Sequence, residues 1–183
     1  MRNALILLLG LFASTATFAQ VDVKINPIGT IFGNPNLSVE FAASQKFGVE
    51  ATVGPNFGSI GIDDTRVNRR GFTGNLIGKY YLNEDVGTDN LSIGLYLKGR
   101  NINFTAEDNE EDKASRNKIA LGFAVGQKWV SKNNIIFSID GGVGRNIINR
   151  FEYDNEEENS FNLNNIPLIN IDLFFRLSVG YRF

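Results

Sequence analysis

Residues 118–129, Lys118-Ile119-Ala120-Leu121-Gly122-Phe123-Ala124-Val125-Gly126-Gln127-Lys128-Trp129, alternate between two unlike faces. Lys118, Ala120, Gly122, Ala124, Gly126 and Lys128 make one face, and Ile119, Leu121, Phe123, Val125 and Trp129 make the other. A period of two is that of a β-strand. The polar face is small and rich in glycine, which a solvent-facing strand has no need of, because glycine weakens strands. The interior of an eight-stranded barrel does need it, since little room remains there for side chains. The stretch therefore predicts a strand with its apolar face turned outward.

The same period recurs on both sides of this segment. Val21, Val23 and Ile25 open a first strand, and further strands are predicted over Leu37 to Phe41, Phe47 to Val53, Phe72 to Leu82 and Leu91 to Gly99. Ile119 to Trp129, Ile135 to Val143 and Ile171 to Phe183 complete the set. Gly33 to Pro35 is expected as a tight turn, and Ser44 to Lys46 and Ser131 to Asn134 as short ones, with Asn83 to Asn90 intermediate. Gly58 to Arg70, Thr105 to Arg116 and Asn149 to Pro167 are expected as long loops gathered at one end. Long loops at one end and short turns at the other are the pattern of an up-and-down barrel with an even strand number. The expected fold is all-β, an eight-stranded antiparallel up-and-down transmembrane β-barrel.

Two features strain that pattern. The apolar phase passes from odd positions (Leu95, Leu97) to even ones (Ile102, Phe104), which predicts a bulge near Gly99-Arg100 or an exit from the membrane. Pro27 and Pro55 must each cost a ladder hydrogen bond or sit at a rim.

Aromatics mark both ends of the apolar face. Phe47, Tyr80, Trp129, Phe137, Tyr181 and Phe183 fall at the short-turn end, and Phe57 and Phe72 at the long-loop end. Ten residues separate Phe47 from Phe57, about 33 Å along a strand and near 25 Å after a tilt of about 40°. That is the height of the apolar band between aromatic girdles. A soluble lipocalin-like barrel with an apolar core is the competing architecture, but it gives no reason for aromatics to gather at two rims.

The chain begins with a segment of another kind. Arg2 precedes the apolar run Ala4 to Ala13, and Thr17-Phe18-Ala19 leads into Gln20. Residues 1–19 are therefore expected to be a secretory signal peptide and residues 20–183 the barrel domain. The apolar run is too short for a spanning helix, which needs about 20 residues. Any membrane crossing after residue 19 must then be made by strands.

The composition narrows the chemistry. Of 183 residues, none is His or Cys, 18 are Lys or Arg and 20 are Asp or Glu, for a formal charge of −2. Without His or Cys, Ser-His and Cys-His catalysis and the usual zinc ligand sets are excluded. With no basic block, there is no electrostatic footprint for nucleic acid. No cofactor and no enzymatic activity are expected.

The last nine residues, Phe175-Arg176-Leu177-Ser178-Val179-Gly180-Tyr181-Arg182-Phe183, form an alternating strand that ends on an aromatic. Here the chain resembles bacterial outer-membrane β-barrel proteins. Val23-Lys24-Ile25-Asn26-Pro27 looks like the first strand of small Bacteroidota-type members, and the size class is that of the OmpA transmembrane domain and OmpX. The resemblance implies a location in the cell outer membrane, lipid as a neighbour and recognition by the barrel-assembly machinery. It makes Leu177, Val179, Tyr181 and Phe183 the expected assembly signal. Outer-membrane hydrolases and acyltransferases of this barrel type use a histidine, which this chain lacks.

On the inferred interior face lie Asp22, Glu40, Glu50, Asp140 and Asp172 against Lys24, Lys79, Lys98, Arg100, Lys118, Lys128, Arg176 and Arg182. Charges in a narrow interior are expected to pair, because an unpaired buried charge is costly. Tyr81 and Tyr96 share that face and are expected to fill it. The alternative is a polar path for a small anion, favoured by the excess of positive charge. Acids crowd two of the long loops: Glu107, Asp108, Glu110, Glu111 and Asp112 in one, and Glu152, Asp154, Glu156, Glu157 and Glu158 in the other. They are expected to be solvated and mutually repelling, since neither run has the spacing of a calcium-binding EF-hand loop. Asp63-Asp64 and Gly141-Gly142-Val143-Gly144 carry no specific catalytic or nucleotide-binding signal.

The expected function is a non-enzymatic outer-membrane barrel with a packed polar lumen, presenting acidic loops for envelope structure or for a surface ligand. A narrow pore for a small solute and a soluble periplasmic ligand-binding barrel are the alternatives.

Overall fold

A computed structural model describes residues 20–62, 65–85, 87–106, 113–153, 161–162 and 170–183. The expected signal segment, residues 1–19, lies outside the described residues. Strands β1 (Val21–Ile25), β2 (Leu37–Ala42), β3 (Phe47–Ile62), β4 (Thr65–Tyr81), β5 (Asn90–Ala106), β6 (Lys113–Val130), β7 (Ile135–Tyr153) and β9 (Ile171–Arg182) pair antiparallel, each with its neighbour. The ring closes where β9 meets β1, with Tyr181 opposite Val23 and Val179 opposite Ile25. The two-residue β8 (Phe161–Asn162) pairs with β7 at Arg150 and Phe151, on the edge that pairs with β9 farther along the strand.

The opening segment follows the alternation, with Lys118 and Gln127 half-buried. Ala120, Gly122, Ala124, Gly126 and Lys128 are buried, whereas Leu121, Phe123, Val125 and Trp129 are exposed, Phe123 to 70%. The exposed apolar face continues around the ring through Leu173 at 69% and Phe175 at 68%. An apolar outer wall around a charged interior suits hydrocarbon, and ring closure leaves few backbone groups to satisfy elsewhere. The soluble, apolar-cored arrangement is thereby reversed.

Aromatics meet across strands near the turn between β6 and β7, and along the chain at the carboxyl terminus. Trp129 stacks on Phe137 with ring centroids 5.6 Å apart, and Tyr181 packs edge-on to Phe183 at 5.0 Å. Phe47 is opposite Tyr80 in the ladder, and Phe72 is opposite Pro55 near the other end.

The interior glycines make room for rings. A Cβ on Gly122 would stand 2.6 Å from Tyr96 Cε1 and 2.5 Å from Gly144 Cα, and one on Gly142 would strike Phe174. Tyr96 and Phe174 meet edge to face at 5.0 Å in the space so left.

Several expected loops are strand instead. Within Gly58 to Arg70, residues 58–62 and 65–70 belong to one ladder, which pairs Gly58 with Arg69 and Ile62 with Thr65. β5 runs to Ala106 and β6 starts at Lys113, both inside the expected loop Thr105 to Arg116, and β7 runs to Tyr153, inside the expected last loop. Strands β3 to β7 have 16 to 19 residues, more than the roughly 9–11 that cross a bilayer. The ladder therefore continues past the apolar band, where the alternation of hydrophobicity that betrays a strand has already faded.

The phase change in β5 is not a bulge. Its register with β4 and β6 is unbroken from Gly99 to Phe104. Ile102 is buried while Asn101 and Asn103 are exposed, so the apolar side chains turn inward once the wall leaves the apolar band. The ring's register shift lies on β7, where Ile119 pairs with Ile148 and Ala120 with Asn146, leaving Ile147 as the extra residue.

The first connection also differs from the expected tight turn at Gly33 to Pro35. β1 stops at Ile25, and a short helix, α1 (Pro27–Ile31), follows. Asn26 caps it by accepting from Gly29 N at 2.9 Å, and Pro27 occupies the first turn, where a missing N–H costs nothing. β1 and β2 therefore end well short of their neighbours. α1 and residues 32–36 lie across the space between β9 and β3, tied to β3 by Phe57 N donating to Gly33 O at 2.8 Å. Pro55 stands just past the end of β2, which stops opposite Val53. Odd positions of β3 direct their backbone groups toward β2, so the N–H that Pro55 lacks belongs to this uncovered side.

Candidate functional site

The candidate site is the charged lumen, and alternation builds it. Asp22 and Lys24 on β1, Glu40 on β2, Glu50 on β3, Lys79 on β4, Lys128 on β6, Asp140 on β7, and Arg176 and Arg182 on β9 all turn inward and are buried. Lys24 Nζ lies 2.8 Å from Glu40 and 2.5 Å from Glu50. Lys79 Nζ lies 2.8 Å from Glu50 and 2.9 Å from Asp140. Arg176 forks between Glu50 and Asp140, at 3.0 Å from the latter. Lys128 Nζ spans Asp22 at 2.7 Å and Glu40 at 2.8 Å, and Arg182 Nε reaches Asp22 at 2.8 Å.

Neutral groups complete this cluster. Tyr81 Oη donates to Glu40 at 2.5 Å, and Arg176 Nη1 donates to Thr52 at 2.6 Å and Ser38 at 3.2 Å. Lys128 also sits 4.8 Å from the centroid of the Tyr81 ring. Carboxylates whose lone pairs are spent on several donors are the form in which buried charge is tolerable.

Asp172, Lys98 and Tyr96 form a separate, smaller group. Lys98 Nζ lies 2.8 Å from Asp172 Oδ2, and Tyr96 Oη donates to the same oxygen at 2.9 Å. Arg100 and Lys118 do not join either cluster; both are only half-buried. Arg100 Nε donates to Thr73 at 3.3 Å. With Arg69 and Arg116 they line a cavity of about 300 Å³ between β4, β5 and β6. A second cavity of about 300 Å³ lies behind α1 and shares Arg100 with the first.

Arg69 and Arg116 are site residues hidden from a reading that assigned them to loops. Parity would have found them: Arg69 has the phase of Lys79 and Asn75, and Arg116 that of Lys118 and Lys128. Ser38 and Thr52 carry no charge to attract notice, yet they meet each other at 2.9 Å inside the cluster.

Leu177, Val179, Tyr181 and Phe183 lie on the outer face of the chain's last stretch, with Phe183 N bonded to Val21 O at 2.9 Å. Of the loop acids, Glu152 is an exposed residue of β7. Asp63, Asp64, residues 107–112 and residues 154–160 lie outside the described residues. On the short turns, Lys46 and Glu84 pair at 3.2 Å in the open.

Two solved structures share the architecture. The first is a major outer membrane protein from Thermus thermophilus, with a TM-score of 0.58 and 15% identity, the match covering 90% of this chain and 99% of that one. The second is CarO from Acinetobacter baumannii, with a TM-score of 0.55 and 8% identity over 90% of this chain and 97% of that one. At these identities the likeness concerns the fold alone, an antiparallel ring of strands shared with two outer-membrane proteins. Comparison with curated proteins finds no match. A family model described as a protein of unknown function, DUF3575, matches residues 4–166, and the chain belongs to that family.

Proposed function

We propose that this barrel is a non-enzymatic outer-membrane protein whose lumen is closed by its own ion pairs in the half nearer the chain termini. One observation carries the reading. Asp22, Glu40, Glu50 and Asp140 interlock with Lys24, Lys79, Lys128, Arg176 and Arg182 across the interior, and all nine are buried. A conducting pore instead keeps its charged groups hydrated along a continuous water path. In this reading residues 1–19 direct export, the last strand is recognised by the assembly machinery, and the acidic loops serve envelope structure or surface contacts at the far end.

The mature chain reconstituted in planar bilayers tests the plug. It should give no steady conductance, and paired neutralisation of Lys128 and Glu40 to alanine should raise the frequency of openings. Steady ohmic conductance of the unaltered protein would instead establish a narrow conduit for small solutes.

A further inference from the structure

Beyond the ion-paired plug, the chemistry of the interior changes. Arg69, Arg100, Arg116 and Lys118 line the outer cavity, Lys98, Arg100 and Arg176 line the one behind α1, and neither is lined by a carboxylate among the described residues. Lys98 and Arg176 are committed to Asp172 and to Glu50 and Asp140. For Arg69, Arg100, Arg116 and Lys118 the described residues supply no ion pair. Uncompensated cations that converge in a partly desolvated recess attract an anion.

The second cavity also carries unspent hydrogen-bonding groups of both signs. Asn36 Oδ1, Asn75 Oδ1 and Arg176 Nε line it, are buried and have no partner. Asn36 Nδ2 donates to Asn34 O at 3.1 Å, so its free oxygen is an acceptor. The edge of β9 adds more. Val21 and Phe183 exchange both backbone bonds, so odd residues of β9 direct their N–H and C=O groups toward β1. β1 ends at Ile25 opposite Val179, which leaves Leu177, Phe175 and Leu173 on the cavity wall paired with β7 but with no strand partner on the β1 side among the described residues. Polar groups buried in this way cost free energy until something satisfies them.

We propose that the outer half of the lumen is a blind binding site for a polyhydroxylated anion, a sugar acid or phosphorylated sugar, held by Arg100 with Asn75 and Asn36. An inorganic anion would answer the cations and leave the amide acceptors empty; an apolar ligand would leave both. Hydroxyl groups donate to the amide oxygens and accept from Arg176 Nε and the free backbone N–H groups. Arg100 is the hinge of the site because it lines both cavities. The proposal deepens the plugged-barrel reading and rests on it only for the closed end. The same chemistry occurs in a free sugar acid and in the head group of a glycolipid.

The test uses the full mature chain refolded in detergent and titrated calorimetrically at low ionic strength with D-glucuronate, glucose and sulfate. Glucuronate should bind saturably and more tightly than either of the others. Arg100→Gln should weaken it about tenfold, the loss of one charge-assisted hydrogen bond, and Arg100→Lys should restore part of it. Asn75→Leu should weaken glucuronate while leaving sulfate unchanged, which separates hydroxyl recognition from charge attraction. Heat-dependent gel mobility of each variant reports that it has folded. Absence of saturable glucuronate binding, or equal binding of sulfate and glucuronate, overturns the site.

Native mass spectrometry of protein extracted from outer membranes separates the sources. A glycolipid retained by the unaltered chain and lost in Arg100→Gln assigns the head group, whereas lipid-free protein that binds glucuronate assigns the free sugar acid. Conductance with glucuronate binding intact overturns the plug and the blind end but not the recognition; a silent bilayer with no glucuronate binding overturns the site alone.

Discussion

Lys128 Nζ lies 2.8 Å from Glu40 Oε1, and the two residues stand on β6 and β2, strands at opposite sides of the ring. The contact spans the full width of the lumen. Arg176 reaches from β9 past β1 and β2 to Thr52 on β3, at 2.6 Å. Such contacts couple strands that share no ladder, so the interior binds the ring together as well as filling it.

Glu50 sits at the centre of this arrangement, facing Lys24, Lys79 and Arg176. Glu50→Ala would leave three buried cations short of a counter-charge, and breaking a buried pair costs about 3–5 kcal/mol. The urea midpoint of the folded fraction should fall sharply. Lys46→Gln on the exposed turn pair should leave it nearly unchanged, because exposed ion pairs contribute little.

Glycines on the two faces should respond oppositely to alanine. At Gly122 the added carbon meets Gly144 Cα at 2.5 Å and Tyr96 at 2.6 Å, whereas at Gly74 nothing lies within 4 Å. Overpacking costs about 1–3 kcal/mol, so Gly122→Ala should lower the urea midpoint and Gly74→Ala should not. Equal effects would mean that the interior has more slack than these distances show.

Closure predicts detergent-only extraction from envelopes and faster gel migration unboiled than boiled. Every strand of the ring has a partner on both sides over part of its length, leaving little edge for detergent to open. Release by osmotic shock, with one mobility before and after boiling, would contradict a membrane barrel.

With the amino terminus on the inner side, the ends of β3, β5 and β7 face outward. Protease added to intact cells should then cut near Lys113, the exposed first residue of β6, where surface polysaccharide leaves it accessible. Cuts confined to Lys46 and Lys132 on the short turns would show the opposite orientation.

Deleting Phe183 should impair assembly more than replacing Glu156, Glu157 and Glu158 by serine. Phe183 packs on Tyr181 at 5.0 Å and bonds Val21 through its backbone, at the seam where the ring closes. Its loss removes both an interfacial aromatic anchor and a closing bond, while the loop change alters only loop charge. The heat-modifiable fraction in membranes measures both; a silent deletion beside an insertion-defective loop variant would refute this role for the last strand.

Alternation was enough to sort the side chains into two faces, because a strand's period of two is local and needs no partner. Lys118 to Trp129 shows it, as do Asp22 and Lys24 beside Val21 and Val23. The same locality explains what stayed hidden. Beyond the apolar band the outer face is no longer apolar, and apolar side chains such as Ile102 turn inward, so the pattern that marks the wall lapses there and Arg69 and Arg116 passed for loop residues. Asn26-Pro27 carried the signals of a helix start, but a five-residue helix is too short for a periodicity of its own. Partner choice was out of reach altogether: Lys128 meets Asp22 across 106 positions and Lys98 meets Asp172 across 74. Those distances depend on strand register, ring closure and the early end of β1 and β2, which arise only when all eight strands pair at once and no local pattern records.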